Sequence, residues 1–147
     1  MEKTRELELE FTKTASNALK ICKKKEDEIL QPFSLSSFHA KYIKLLHKFK
    51  IMTMNDLTEC IGVDKANTTR AIKDLLEQKI VEKQGGIRKF QLILTKKGLE
   101  VAEKFVVTFE NFFKRVLRDF TENEKITLTT LFEKMFVGLQ RELNQGE

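Results

Sequence analysis

Asn67, Arg70 and Lys73 stand three residues apart, which sets an amide, a guanidinium and an ammonium on one face of a helix. An arginine fork matches the two acceptors of guanine, and an asparagine amide matches the acceptor and donor of adenine. Such a face is equipped to read base edges in a major groove. Lys65, Thr69 and Lys73 are of the types that touch phosphate, and Arg88 and Lys89 suit phosphate or a narrow minor groove. The plain alternative is a solvated helix face, and only the setting of these residues separates the two readings. That setting is basic. From Val63 to Gly98 there are nine lysines and arginines against four acids, a local +5 that equals the net charge of the whole 147-residue chain. A positive patch confined to one stretch of an otherwise neutral protein is the electrostatic footprint of a nucleic-acid binder.

The elements that must hold this face follow from local signals. Thr53 to Ile61 reads as a short helix opened by Thr53-Met54-Asn55-Asp56, a capping box with Asp in place of Glu or Gln. Leu57, Cys60 and Ile61 are its inward residues. Gly62-Val63-Asp64 reads as a tight turn, with Gly62 as a left-handed C-cap and Asp64 as the N-cap of a helix from Lys65 to Gln78. On that helix Thr68, Ala71, Ile72, Leu75 and Leu76 form the inward stripe, so Thr68 is a packed methyl rather than a contact. Ala66, Asp74 and Glu77 share the outward face with Asn67, Arg70 and Lys73. Ile80 to Gln84 and Ile87 to Leu94 read as a hairpin turning at Gly85-Gly86, with Phe90, Leu92 and Leu94 on its buried face.

Upstream, Leu7, Phe11, Ala15, Ala18, Leu19 and Cys22 mark an amphipathic first helix that stops before Pro32. Its mixed run Lys23 to Glu28 reads as a solvated face. Ser34 or Ser36 caps the next helix, whose apolar face is Phe38, Tyr42, Leu45, Leu46 and Phe49. Downstream, Thr95 opens a helix carrying Phe105, Phe109, Phe112, Phe113, Val116, Leu117 and Phe120, and Thr121 caps a last helix running through Leu143.

The order of these elements, together with Asn55-Asp56-Leu57, Ile61-Gly62-Val63-Asp64-Lys65, Thr69-Arg70, Leu75, Ile80-Val81-Glu82 and Leu94-Thr95-Lys96-Lys97-Gly98, resembles the MarR family of winged-helix transcriptional regulators. The last group matches the family's Leu-Thr-x-x-Gly signature, and the likeness runs from about Leu35 to the C-terminus. It implies a mainly α fold with a small β-wing: a winged helix–turn–helix DNA-binding lobe plus N- and C-terminal dimerisation helices. On that basis residues 1–32 form an N-terminal dimerisation helix, 33–98 the DNA-binding lobe and 99–147 the C-terminal dimerisation helices. It also implies a homodimer on a pseudo-palindromic double-stranded operator, acting as a repressor and released by a small lipophilic effector. Two recognition helices would then enter major grooves roughly 34 Å apart. The chain departs from the family at Lys79, where glycine is usual, and in a shortened wing where Gly86-Ile87-Arg88 replaces Asp-x-Arg.

Other chemistry is not called for. No phosphate-cradling glycine loop, nucleophile elbow or metal-spaced Cys/His cluster is present, so neither an enzyme nor a cofactor is expected. His39 and His47 read as structural, and Cys22 and Cys60 as buried, inert thiols suited to a reducing cytoplasm. No run approaches the length of a membrane helix, and no secretory leader is visible. The seven phenylalanines from Phe105 to Phe136 read as dimer core, with an effector pocket as a compatible second use. Two rival functions remain open at this level: a winged-helix module for an acidic protein partner without specific DNA binding, and a small-molecule-binding helical protein.

Overall fold

The computed structural model describes residues 1–62 and 64–145, so the turn residue Val63 lies outside the described residues. The chain forms two compact units, the first ending at Phe109 and the second beginning at Glu110.

The first unit opens with a long helix α1 (Glu2–Leu30), which Pro32 converts into a short 3-10 turn over Gln31–Phe33. Helix α2 (Ser37–Phe49) starts at Ser36, one of the two serines expected to cap it. The capping box is completed by His39, whose Nδ1 accepts from the Ser36 amide at 3.1 Å. Helix α3 (Met54–Ile61) and helix α4 (Lys65–Glu77) follow, then strands β1 (Val81–Gly85) and β2 (Phe90–Leu94) and helix α5 (Lys96–Val116). The α2 helix is the hub, packing against α1, α3, α4 and β2. Tyr42, Ile43, Leu46, Leu57, Leu75, Ile80, Leu92 and Phe105 are fully or almost fully buried around it.

The lysine- and acid-rich end of α1 is more engaged than a solvated face. Lys44 of α2 donates to Glu26 at 3.1 Å, and the Ser37 amide donates to Asp27 at 2.6 Å. Both bonds clamp α1 onto the start of α2, which a one-helix wheel does not foresee.

Other apolar phases also shift at helix ends. Phe49, assigned to the buried face of α2, is 52% exposed. It is the last residue of the helix, and Lys50 breaks the helical path at φ 71°. Cys60 is exposed rather than inward, and Cys22 only half-buried, so neither thiol is buried as expected. In α3, only eight residues long, Leu57 alone is fully covered.

The second unit contains the end of α5 and helix α6 (Glu122–Gln145). Thr121 caps α6 as expected, accepting from the Glu124 amide while Glu124 accepts from the Thr121 amide. The Thr121 backbone amide, and next its side chain, hold the Glu124 carboxyl below its ordinary value. No residue of α6 is buried: Phe132 and Phe136 are 53% and 60% exposed.

Candidate nucleic-acid interface

The helix–turn–helix is built from its caps. The Thr53 amide donates to the Asp56 carboxylate at 3.0 Å, and Thr53 Oγ1 accepts from the Asp56 amide at 3.1 Å. The Thr53 backbone amide, and next the Thr53 side chain, hold the Asp56 carboxyl below its ordinary value. Gly62 ends α3 at φ 71°, a conformation that glycine adopts without penalty. Asp64 then starts α4 by accepting from the Asn67 amide at 2.9 Å. Thr68 is fully buried, with Oγ1 3.4 Å from the Tyr42 hydroxyl, so its inward assignment holds.

On the outer side of α4, Arg70 Nη2 donates to Asn67 Oδ1 at 2.6 Å. The same guanidinium lies over the ring of Phe38, 5.3 Å from its centroid. Thr69 is exposed, and its hydroxyl donates back to the Lys65 carbonyl at 2.9 Å. Phe38, Arg70, Lys73, Asp74 and Glu77 line a depression of about 490 Å³. Asp74 is less outward than its phase suggests, because its Oδ2 meets His39 Nε2 at 2.9 Å. His39 therefore works in two places. Its Nδ1 accepts the cap bond from Ser36, which leaves the hydrogen on Nε2 for Asp74.

The wing is a single antiparallel pair in which Val81 faces Leu94 and Gly85 faces Phe90. This corrects the expected two-residue turn. Gly86 to Lys89 form the tip, closed by a 3.0 Å bond from the Gly86 amide to the Lys89 carbonyl, and the second strand starts only at Phe90. Met52, outside the hairpin, pins Leu92 of the second strand by exchanging backbone bonds of 3.2 and 2.8 Å with it. Ile87 at the tip is 98% exposed and has nothing to gain from strand pairing. Only Gly85 of the two glycines needs to be glycine: its φ is 106°, and a Cβ there would meet the Lys89 carbonyl at 3.0 Å.

Where the wing leaves α4, Lys79 occupies the left-handed region at φ 61°, the conformation that usually calls for glycine. Thr95 braces this corner by donating to the Lys79 carbonyl at 2.6 Å and accepting from the Gly98 amide at 3.0 Å. A Cβ on Gly98 would lie 1.9 Å from the Ile80 carbonyl oxygen. The threonine and the glycine of the signature thus serve one junction. Threonine caps α5 and ties it to the wing, and glycine lets the two backbones touch.

The seven residues singled out from the sequence fall into groups. Lys65, Arg88 and Lys89 meet on a cavity of about 620 Å³ between α3, the start of α4 and the wing tip, lined also by Asn55 and Gln91. Asn67 is bonded to Arg70, which shares the second depression with Lys73. Thr69 joins neither group. Phe38 and His39, which hold Arg70 and Asp74, were not legible as site residues because their partners lie over thirty positions away. Lys79, Lys83, Lys96 and Lys97 border a further cavity of about 630 Å³ at the wing–α5 corner, so the basic stretch does not point one way. Among the described residues no group of three or more His, Cys, Asp or Glu side chains is arranged to hold a metal.

No family model matches the sequence. Individual relatives do. The chain is 30% identical over 101 residues to the HTH-type transcriptional regulator BilQ of Clostridioides difficile, spanning 67% of this chain and 68% of that protein. It also superposes on a MarR protein from Peptoclostridium difficile with a TM-score of 0.78 at 26% identity, covering 93% of this chain and 90% of the other. The chain belongs to the MarR family of winged-helix transcriptional regulators. Within the MarR family the same fold recurs in the Staphylococcus aureus MepR–DNA complex, at TM-score 0.74 and 18% identity over 88% of this chain and 94% of that one. For a MarR-family chain the two-stranded sheet is the wing. No helix of the described residues is long and apolar enough to cross a membrane.

Proposed function

We propose that this MarR-family regulator is a homodimer that binds a pseudo-palindromic operator in double-stranded DNA and represses transcription until a small lipophilic effector releases it. The observation that carries the reading is the division of labour around α4. Asn67, Arg70 and Lys73 form one outward group, while Lys65, Arg88 and Lys89 border the cavity between α4 and the wing. The first group has the chemistry for base edges and the second for phosphates. The DNA complex of MepR supports the orientation by fold alone.

Dimerisation through residues 1–32 and 99–147 is supported by the apolar side chains those segments leave uncovered. Leu7, Phe11 and Leu19 on α1, and Phe132, Phe136, Leu139 and Leu143 on α6, are 41–81% exposed. Apolar side chains exposed in series on a helix are what a second copy would cover. The effector would act by favouring a dimer whose recognition helices no longer match the operator, which requires different affinities for the two states. The test is selection of the purified full chain against a random duplex pool. A palindrome with half-site centres about one helical turn, roughly 34 Å, apart is expected. A pool that enriches no palindrome would overturn the reading and favour an acidic protein partner.

A further inference from the structure

We propose that Asn67 and Arg70 act as one donor unit that selects guanine, not adenine, at the base step they face, and that Phe38 is the residue that positions them. The inference rests on α4 being the reading helix and adds which base it prefers. Two-point adenine recognition needs asparagine to offer its carbonyl oxygen as acceptor and its amide as donor. Here that oxygen already accepts from Arg70 Nη2 at 2.6 Å. A second donor, the adenine N6 amino group, would have to approach the same oxygen beside a fixed cation. What the pair still offers outward is donors only: the Asn67 Nδ2 hydrogens and the remaining N–H groups of the Arg70 fork. Guanine presents two acceptors side by side, N7 and O6, and is the complementary edge.

The fork is held from behind. Its carbon sits 5.3 Å from the Phe38 ring centroid, and Phe38 is itself set edge-on to His39 at 5.3 Å and to Tyr42 at 6.4 Å. His39 reaches across to Asp74 at 2.9 Å, and Tyr42 lies 3.4 Å from Thr68, so the ring's neighbours on α2 meet α4 on both sides of Arg70, two residues before it and one turn after it. Arginine loses less freedom on binding when its plane is already stacked and hydrogen-bonded. Phe38 touches no base in this account. It acts through Arg70.

The test uses the full chain, the duplex enriched from a random pool, and its single-base variants. The step is identified as the one whose preference changes in Arg70→Lys, which keeps charge but loses the fork. Guanine is expected there, and replacing it with adenine or with 7-deazaguanine, which lacks the N7 acceptor, should cost roughly tenfold or more in affinity. Phe38→Leu, which keeps bulk without a π face, should lower the guanine-to-adenine ratio about two- to fivefold, and Phe38→Tyr should restore it. Thermal melts of the variants establish that they are folded; if Phe38→Leu is not, the 7-deazaguanine and Arg70→Lys arms decide. Adenine at that step, lost in Asn67→Ala, would overturn the donor-unit assignment while leaving DNA reading intact. An unchanged base ratio in folded Phe38→Leu would overturn the positioning role. A pool with no enriched duplex would remove the underlying DNA reading itself.

Discussion

The winged-helix lobe and the terminal helices solve opposite problems with similar sequence material. In the lobe, α2 collects Tyr42, Ile43, Leu46, Leu57, Leu75 and Ile80 into a core with almost no exposed surface. Along α1 only Leu30 is buried, and along α6 no residue is, although both helices carry apolar side chains at helical spacing. At about 25 cal/mol per Å² of apolar surface, an uncovered stripe of phenylalanines and leucines is a large driving force left unspent in one chain. The contrast teaches that amphipathic periodicity locates a face without saying what covers it. In the lobe the cover is within the same chain. For the ends, the proposed cover is a second copy.

Changes that strike one region and spare the other are the means to break this contrast. The largest effect is expected at the wing–α5 junction. Gly98→Ala places a methyl 1.9 Å from a backbone oxygen, with no flexible side chain to yield. It should destabilise the lobe by roughly 3 kcal/mol or more in denaturant titration. Next comes Phe132→Glu with Phe136→Glu on the exposed face of α6. If these residues anchor the proposed dimer, sedimentation should show it dissociating at least about a hundredfold more readily, because charges would replace the anchors. The lobe's slowest amides should exchange as before, and lost protection there would contradict the separation of the two regions.

A smaller effect, of opposite sign, is expected at Lys79. Lys79→Gly relieves a left-handed lysine at φ 61° and should stabilise the lobe by about 1 kcal/mol. The smallest concerns acid. The Asp56 carboxyl is held below its ordinary value by its bonds to Thr53, so its contribution to the α3 cap is complete above about pH 4. That contribution should fade as pH falls through the lowered value. Asp56→Asn should flatten this part of the stability profile, a small change because the group is on the surface.

Much of the lobe was legible because its signals are local. Thr53, Gly62, Asp64, Thr95 and Thr121 each act on a backbone group within four residues, and each occupies the predicted cap. What was not legible depends on distant partners. The wing register is set by Met52 against Leu92, forty residues apart in the chain, and this displaces the turn from Gly85-Gly86 to Gly86 to Lys89. Cys60 and Phe49 sit at helix ends, where the wheel no longer predicts what lies opposite. The candidate site divides in the same way. The spacing of Asn67, Arg70 and Lys73 put them on one face, but only the fold brings Phe38 under Arg70 and His39 to Asp74.

The central claim is that α4 reads sequence while the residues around the wing cavity hold the backbone. Its most direct test is a salt titration of the native chain, Arg70→Ala and Lys89→Ala on the enriched operator and on a scrambled duplex. Native binding should weaken steeply with salt, as lysines and arginines displace counterions. Lys89→Ala should weaken both duplexes alike and lower the salt slope by about one. Arg70→Ala should lose roughly 1–3 kcal/mol on the operator and little on the scrambled duplex. If Arg70→Ala binds the operator as tightly and selectively as the native chain, or if native binding is indifferent to salt, the account is contradicted.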